Sequence, residues 1–248
     1  VNGGVTVVVE ATRVVVLDAR PPVAAKILVT PDGPELVLIG AAAGLLEGDA
    51  VTIDLTLGPG ARLAVRTTAA TLAHPCPSGG WTQTVVTARL GDGAVLAWLP
   101  EPLVACAGCR HRSRSAVELS DGAVAVWSEA CTLGRSGEQA GTVDLRLDAT
   151  YNGAPLLRDG LRAGDGSGVP AYPDVAASPA VLGGRRHTGS VHLLGRRADG
   201  PFLQLAGPGT TARAVAADAA ALERTLSAAR ALFLSITAPS TKEVPVHG

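Results

Sequence analysis

Charge and aromatic rings are both scarce in this chain of 248 residues. Charged residues make up 17%, aromatics 3%, and methionine is absent. An average globular chain carries about 25% charged residues. With 47% hydrophobic residues, the chain cannot be disordered, because too much apolar material would stay in water. A net charge of −1 and few rings for base stacking argue against a nucleic-acid partner. No run of about 20 apolar residues occurs, so a helical membrane span is not expected either. The longest apolar stretches, Glu35–Leu46 and Ala94–Leu99, are short or broken by Gly, Pro or charge. Four cysteines are too few for a disulfide scaffold, and the expected compartment is a reducing cytoplasm. No secretory signal pattern is expected at the start. Val1 fits either an alternative start codon or a trimmed terminus.

What is present is a strand rhythm. Val5–Glu10, Arg13–Asp18, Ile27–Thr30 and Glu35–Ile39 are β-branched or apolar runs bounded by turn residues. Val51–Leu57 alternates at period two, and Ala61–Arg66, Gln83–Leu90, Ala94–Leu99, Ser113–Leu119, Ala123–Trp127 and Val143–Thr150 follow. Three segments share one pattern: LGPGARLAV from Leu57, LGDGAVLAW from Leu90 and LSDGAVAVW from Leu119. Their spacing of about 30 residues points to stacked β coils, with ordinary tight hairpins as the alternative. Residues 160–179 read as a long loop. His187–Leu194 and Pro201–Leu205 read as two further strands. Over 212–236, Val215, Ala219, Leu222, Leu226, Ala229 and Phe233 recur at three or four residues, the pattern of an amphipathic helix. A frayed tail is expected over 240–248. No domain boundary is evident, so 1–248 reads as one unit.

Familiar catalytic signatures are missing. There is no P-loop, and Gly164–Gly168 lacks the strand-then-helix context of a dinucleotide site. No G-x-S-x-G nucleophile elbow occurs. Cys106, Cys109 and His111 form C-x-x-C-x-H, and His74 with Cys76 is a second soft pair. Such ligands could chelate one ion, although four-ligand sites normally show a second pair at matching spacing. Filling core or turn space is the competing role for these cysteines and for Cys131. Glu47, Asp49, Asp54, Glu129 and Asp159 stand beside apolar strand material. Carboxylates of this kind face solvent or cap turns, or offer oxygen ligands where they line a channel. Arg110, Arg112 and Arg114 fall on one side of a strand by alternation, a charged face that could meet an acidic partner.

The ordered set of short motifs resembles the urease accessory protein UreD (UreH) family. Gly44–Asp49 is similar to that family's G-G-L-L-G-G-D. Gly58–Leu63 followed by Thr67–Thr71, then Gln83, Trp98–Pro102, the Gly122–Glu138 block and Pro155–Asp159 follow in family order. Glu47 stands where the family has Gly, Ser128 separates Trp127 from Glu129, and the Cys/His cluster is not a family feature.

The resemblance implies stacked β-sheets, β-helix-like, with a small helical part near the C-terminus. It implies a non-enzymatic urease maturation factor that binds apo-urease and a UreF-like helical accessory protein, and through it a UreG-like GTPase. Nickel(II) would pass transiently, with no tightly bound cofactor, along an internal path. By motif, Asp49, Glu129 and Asp159 would lie on that path. The alternative is a metal-binding β-protein or small metal-dependent enzyme using Cys106, Cys109, His111, His74 and Cys76.

Overall fold

A computed structural model describes residues 1–42, 44–164 and 182–238. In chain order the strands are β1 (Asn2–Glu10), β2 (Arg13–Arg20), β3 (Val23–Thr30), β4 (Gly33–Gly40), β5 (Ala50–Leu57), β6 (Arg62–Thr67), β7 (Thr71–Ala73), β8 (Thr82–Leu90), β9 (Val95–Leu99), β10 (Leu103–Ala105), β11 (Arg110–Leu119), β12 (Val124–Leu133), β13 (Thr142–Tyr151), β14 (Ala154–Ala163), β15 (His187–Leu194), β16 (Leu203–Gln204) and β17 (Gly209–Ala216). One helix, α1 (Ala219–Thr237), follows them.

The strands form two facing sheets. One has the order β14-β13-β11-β8-β5-β1-β2. The other runs β16-β17-β15-β12-β9-β6-β4-β3, with β7 and β10 paired beside β12. The chain crosses between sheets at each step, so β5, β8, β11 and β13 stack in parallel on one side. The strands β4, β6, β9 and β12 stack in parallel on the other. This is a two-sheet β-solenoid, flanked by antiparallel strands at both ends.

The repeated turn explains the stacking. Gly60, Gly93 and Gly122 each adopt a left-handed backbone, φ +68°, +66° and +65°, which glycine reaches without a Cβ clash. Each turn then bonds to the next: Gly60 N–H donates to Asp92 O and Gly93 N–H to Asp121 O, both 2.8 Å. Successive coils thus satisfy one another's turn donors, and the stacked-coil expectation holds over hairpins. Ala61, Ala94 and Ala123, which follow the turns, are fully buried, because a larger side chain would hold the coils apart.

Alternation sorts side chains to the inner and outer faces. Val7, Leu55, Ala88 and Val117 point inward from one sheet, against Leu36, Leu96 and Trp127 from the other. Trp98 and Trp127 stack in the interior with centroids 5.0 Å apart and planes 17° from parallel. Strand β12 is buried on both faces. Its Val124 and Val126 join Val191, Leu193, Leu222, Leu226 and Phe233 in a second core beneath α1. Asp218 caps the helix by accepting from Ala221 N, 2.7 Å.

Three expectations shift. The helix starts at Ala219 rather than at 212, because 212–216 belongs to β17 and Val215 is a strand residue. Its pairing with β15 outweighs the helical spacing of small residues. The loop expected over 160–179 begins later, since Gly160–Ala163 complete β14 against β13; the remainder from 165 lies outside the described residues. Of Pro201–Leu205 only Leu203–Gln204 is strand. The tail at 240–248 also lies outside the described residues.

Truncating Leu55, fully buried, to Ala is expected to cost about 2–5 kcal/mol. Val29→Ala, at a side chain 92% exposed, should change stability by less than about 0.5 kcal/mol. Denaturant unfolding of the two variants checks the pair, and equal effects would contradict this packing.

Candidate functional site

Between the two sheets lies a cavity of about 250 Å³. Its lining includes Thr84, Ser113, Ser115, Glu129, Asp159 and Ser190 together with apolar residues such as Val86, Trp98 and Leu147. The register explains the polar lining. Thr82 pairs with His111, Thr84 with Ser113 and Val86 with Ser115 across β8 and β11, all on the inner face. In this inward set polar side chains replace the aliphatic ones found toward the other end of the same strands, such as Ala88, Leu90, Val117 and Leu119.

Glu129 projects from β12 toward β11. Its Oε1 accepts from Trp127 Nε1 at 2.8 Å and from Ser115 Oγ at 3.1 Å. The second bond crosses from one sheet to the other. The side chain lines the cavity and is half-buried. Burial therefore pushes its carboxyl above the usual range, and the Trp127 bond, nearby His192 and the Ser115 bond offset this only in part.

Asp159 enters from β14 in the opposite sheet. Its Oδ2 forms an ion pair with Arg213 of β17 and lies 3.4 Å from His192 Nε2. That second contact lies outside hydrogen-bond geometry. His192 is held from its other ring nitrogen, with Nδ1 3.0 Å from Thr211 Oγ1. Burial pushes Asp159 up, but His192 and Arg213 more than cancel it and hold the carboxyl well below the ordinary range. Two carboxyls in one cavity are thus pushed in opposite directions, one toward the neutral acid and one toward the anion. Such divergence marks a candidate functional site.

Asp49 does not line this cavity. It is buried at the turn before β5, where Oδ2 accepts from Leu46 N at 2.9 Å and Oδ1 meets the Val1 amino group. One residue further, Ala50 pairs with Gln83, so Asp49 occupies the same inward row as Thr82 and His111. Glu47 clamps a neighbouring loop through Ser78 N, 2.9 Å, and Gly80 N.

The four cysteines and His111 are buried. Cys76, Cys106, Cys109 and Cys131 are all buried free thiols. Burial first, then neighbouring cysteines, pushes Cys109 up to about 12, and burial does the same chiefly for Cys131, to about 12. Cys106 also moves up by burial. Burial thus favours the protonated thiol at all three of these cysteines, and a metal would have to displace those protons to bind. Cys109 Sγ lies 3.8 Å from Thr142 O, and Cys76 Sγ lies 3.7 Å from the carbonyl of His74. His111 is lowered to about 4 by burial, and its Nδ1 is 2.8 Å from Thr82 Oγ1. Among the described residues no three His, Cys, Asp or Glu side chains lie close enough to hold a metal ion.

Sequence reading pointed to Glu129 and Asp159 and missed Ser115, His192 and Arg213. Ser115 was within reach of alternation, since Ser113 and Ser115 interleave with the outward arginines of β11. His192 and Arg213 arrive on antiparallel strands whose register no local pattern reveals.

Fold and cavity together define a class of protein: a two-sheet β-solenoid with polar side chains set into its interior. The UreD urease accessory protein family matches residues 3–244, and this chain belongs to that family. Urease accessory protein UreD 1 of Streptomyces griseus is 36% identical over 203 residues, covering 79% of this chain and 76% of that protein. UreD 3 of the same organism is 34% identical over 236 residues, with 89% and 90% covered. UreD of a Parafrankia species is 36% identical over 220 residues, with 76% and 72% covered.

The carboxyl shifts give stability a sign. Glu129 is raised, so the fold loses stability as pH rises from the ordinary Glu range toward its folded value. Glu129→Gln, which mimics the neutral acid, should match the parent near about pH 4 and exceed it near about pH 8. Asp159 is lowered, so its contribution is present above the ordinary Asp range and fades as acid protonates the folded carboxylate. Asp159→Asn should therefore be less stable than the parent near neutrality, with the gap closing in acid. Melting temperatures across pH check both, and the reverse ordering would refute the assignment.

Proposed function

We propose that this protein is a urease maturation factor that passes nickel(II) through the space between its sheets without catalysing a reaction. Support comes chiefly from a cavity of mixed apolar and polar lining, in a member of the UreD family, that carries Glu129 from one sheet and Asp159 from the other. Its partners would be apo-urease and a UreF-like helical accessory protein that brings a UreG-like GTPase, all in the cytoplasm. No helix among the described residues is long and apolar enough to cross a membrane.

The chemistry suits cargo in transit. An ion passing through needs several weak ligands, because a closed cage would not release it. Glu129, whose burial favours the protonated acid, would give up any proton it holds when the cation arrives, which tempers affinity and ties passage to pH. Asp159 is already engaged by Arg213, so it too offers a contested ligand. Ser113, Ser115 and Thr84 add neutral oxygens. Asp49, in the inward row of Thr82 and His111, would stand toward one end of this column. No observation favours the cysteine-based alternative.

Deleting the protein from a urease-producing strain should leave urease nickel-poor and inactive, with full activation contradicting the reading. Glu129→Gln should lower the nickel content of urease by about 10-fold or more while co-purification with the apoenzyme persists. The isolated protein should carry no stoichiometric metal by elemental analysis. A tightly held metal that is lost in Cys109→Ser would instead favour the thiolate site.

A further inference from the structure

The outer face of the seven-stranded sheet is unevenly charged. Toward the C-terminal ends of β8, β11 and β13 its charges pair off: Arg89 with Glu118 at 3.6 Å and Arg158 with Asp148 at 3.4 Å. Toward their N-terminal ends the balance fails. Arg110, Arg112, Arg114, Arg146 and Arg162 gather there, and among the described residues the acidic side chains beside them are Asp144 and, at the rim, Glu47.

Three of these arginines converge on one carboxylate. Arg114 is 2.5 Å from Asp144, Arg162 is 3.3 Å away and Arg112 is 3.8 Å away. One negative charge cannot neutralise three guanidiniums. Arg146 is exposed and stands directly beside Arg114 in the β11–β13 register. Like charges in neighbouring positions of a sheet repel and cost stability. Arg110 and Arg112 both place their guanidinium carbons 4.7 Å from the centroid of Trp81. Contact with the ring restrains two flexible side chains, so less entropy remains to be lost on binding.

We infer that this arginine-rich end of the outer sheet face is a docking surface for an acidic segment of a partner protein. Guanidinium matches carboxylate in a planar, two-bond geometry. A protein segment fits better than nucleic acid, because the one ring in contact with these arginines among the described residues, Trp81, already serves two of them and leaves little for base stacking. By alternation these side chains point to the outside of the sheet, although Arg146 also borders the cavity, and the inference does not depend on passage of nickel.

A labelled decaglutamate peptide is the probe, with fluorescence anisotropy on the full chain. Binding should weaken by about 10-fold as NaCl rises from about 50 to about 300 mM. Arg146→Glu is the decisive variant, because it sets a carboxylate beside Arg114 and should preserve or raise the melting temperature. It should also weaken peptide binding by about 10-fold or more. A control change at the far edge, Arg13→Glu, should leave binding unaltered. No binding, binding unchanged in Arg146→Glu, or tighter binding of single-stranded DNA than of the peptide would each overturn the inference.

Discussion

The stack of glycine turns is the constraint on which everything else rests. Gly60, Gly93 and Gly122 hold a backbone shape that costs an ordinary residue about 1–2 kcal/mol; Gly60 and Gly93 donate their N–H to the next turn, and Gly122 donates to the Tyr151 hydroxyl. That repeat sets the parallel register of both sheets. Register in turn decides which side chains face inward, since a slip of one residue would exchange the two faces of every strand. Ser115 meets Glu129 across the interior only because both coils sit at this height. The arginines of β11 face out for the same reason that Ser113 and Ser115 face in.

A polar interior is expensive for a β-solenoid. Replacing aliphatic residues by Thr84, Ser113, Ser115, Glu129 and Asp159 gives up apolar burial and leaves polar groups to be satisfied. Glu129 meets this cost by hydrogen bonds from Trp127 and Ser115 and by favouring its neutral form. Asp159 meets it with Arg213. Packing alone would be better served by Val or Leu at these positions, as it is toward the other end of the same strands. The polar set is therefore understood more readily as an adaptation to a guest than to stability.

Much of this was legible in the chain. Alternation in Val51–Leu57 and Val143–Thr150 located strands whose edges the structure moves by a residue or so, and the three Gly-containing repeats revealed the coil. Family motifs pointed to Glu129 and Asp159, which share a cavity, and to Asp49, which lies outside its lining. The errors have physical causes. Residues 212–216 carry small side chains compatible with either state, and only pairing with β15 makes them strand. The Cys106–His111 spacing suits a chelate, and the fold buries these side chains and sets His111 Nδ1 against Thr82 Oγ1. His192 and Arg213 escaped because antiparallel register is set by tertiary contacts.

The most direct test fills the passage. Ser113→Phe places a ring in the cavity from the inner face of β11 while the turns, the outer face and Glu129 stay as they are. Nickel bound to urease after co-expression, measured by elemental analysis, is the readout, with co-purification of the variant and apo-urease as the folding control. A complex that still assembles around nickel-poor urease is the expected result. A complex that yields urease with its full nickel content would contradict passage between the sheets.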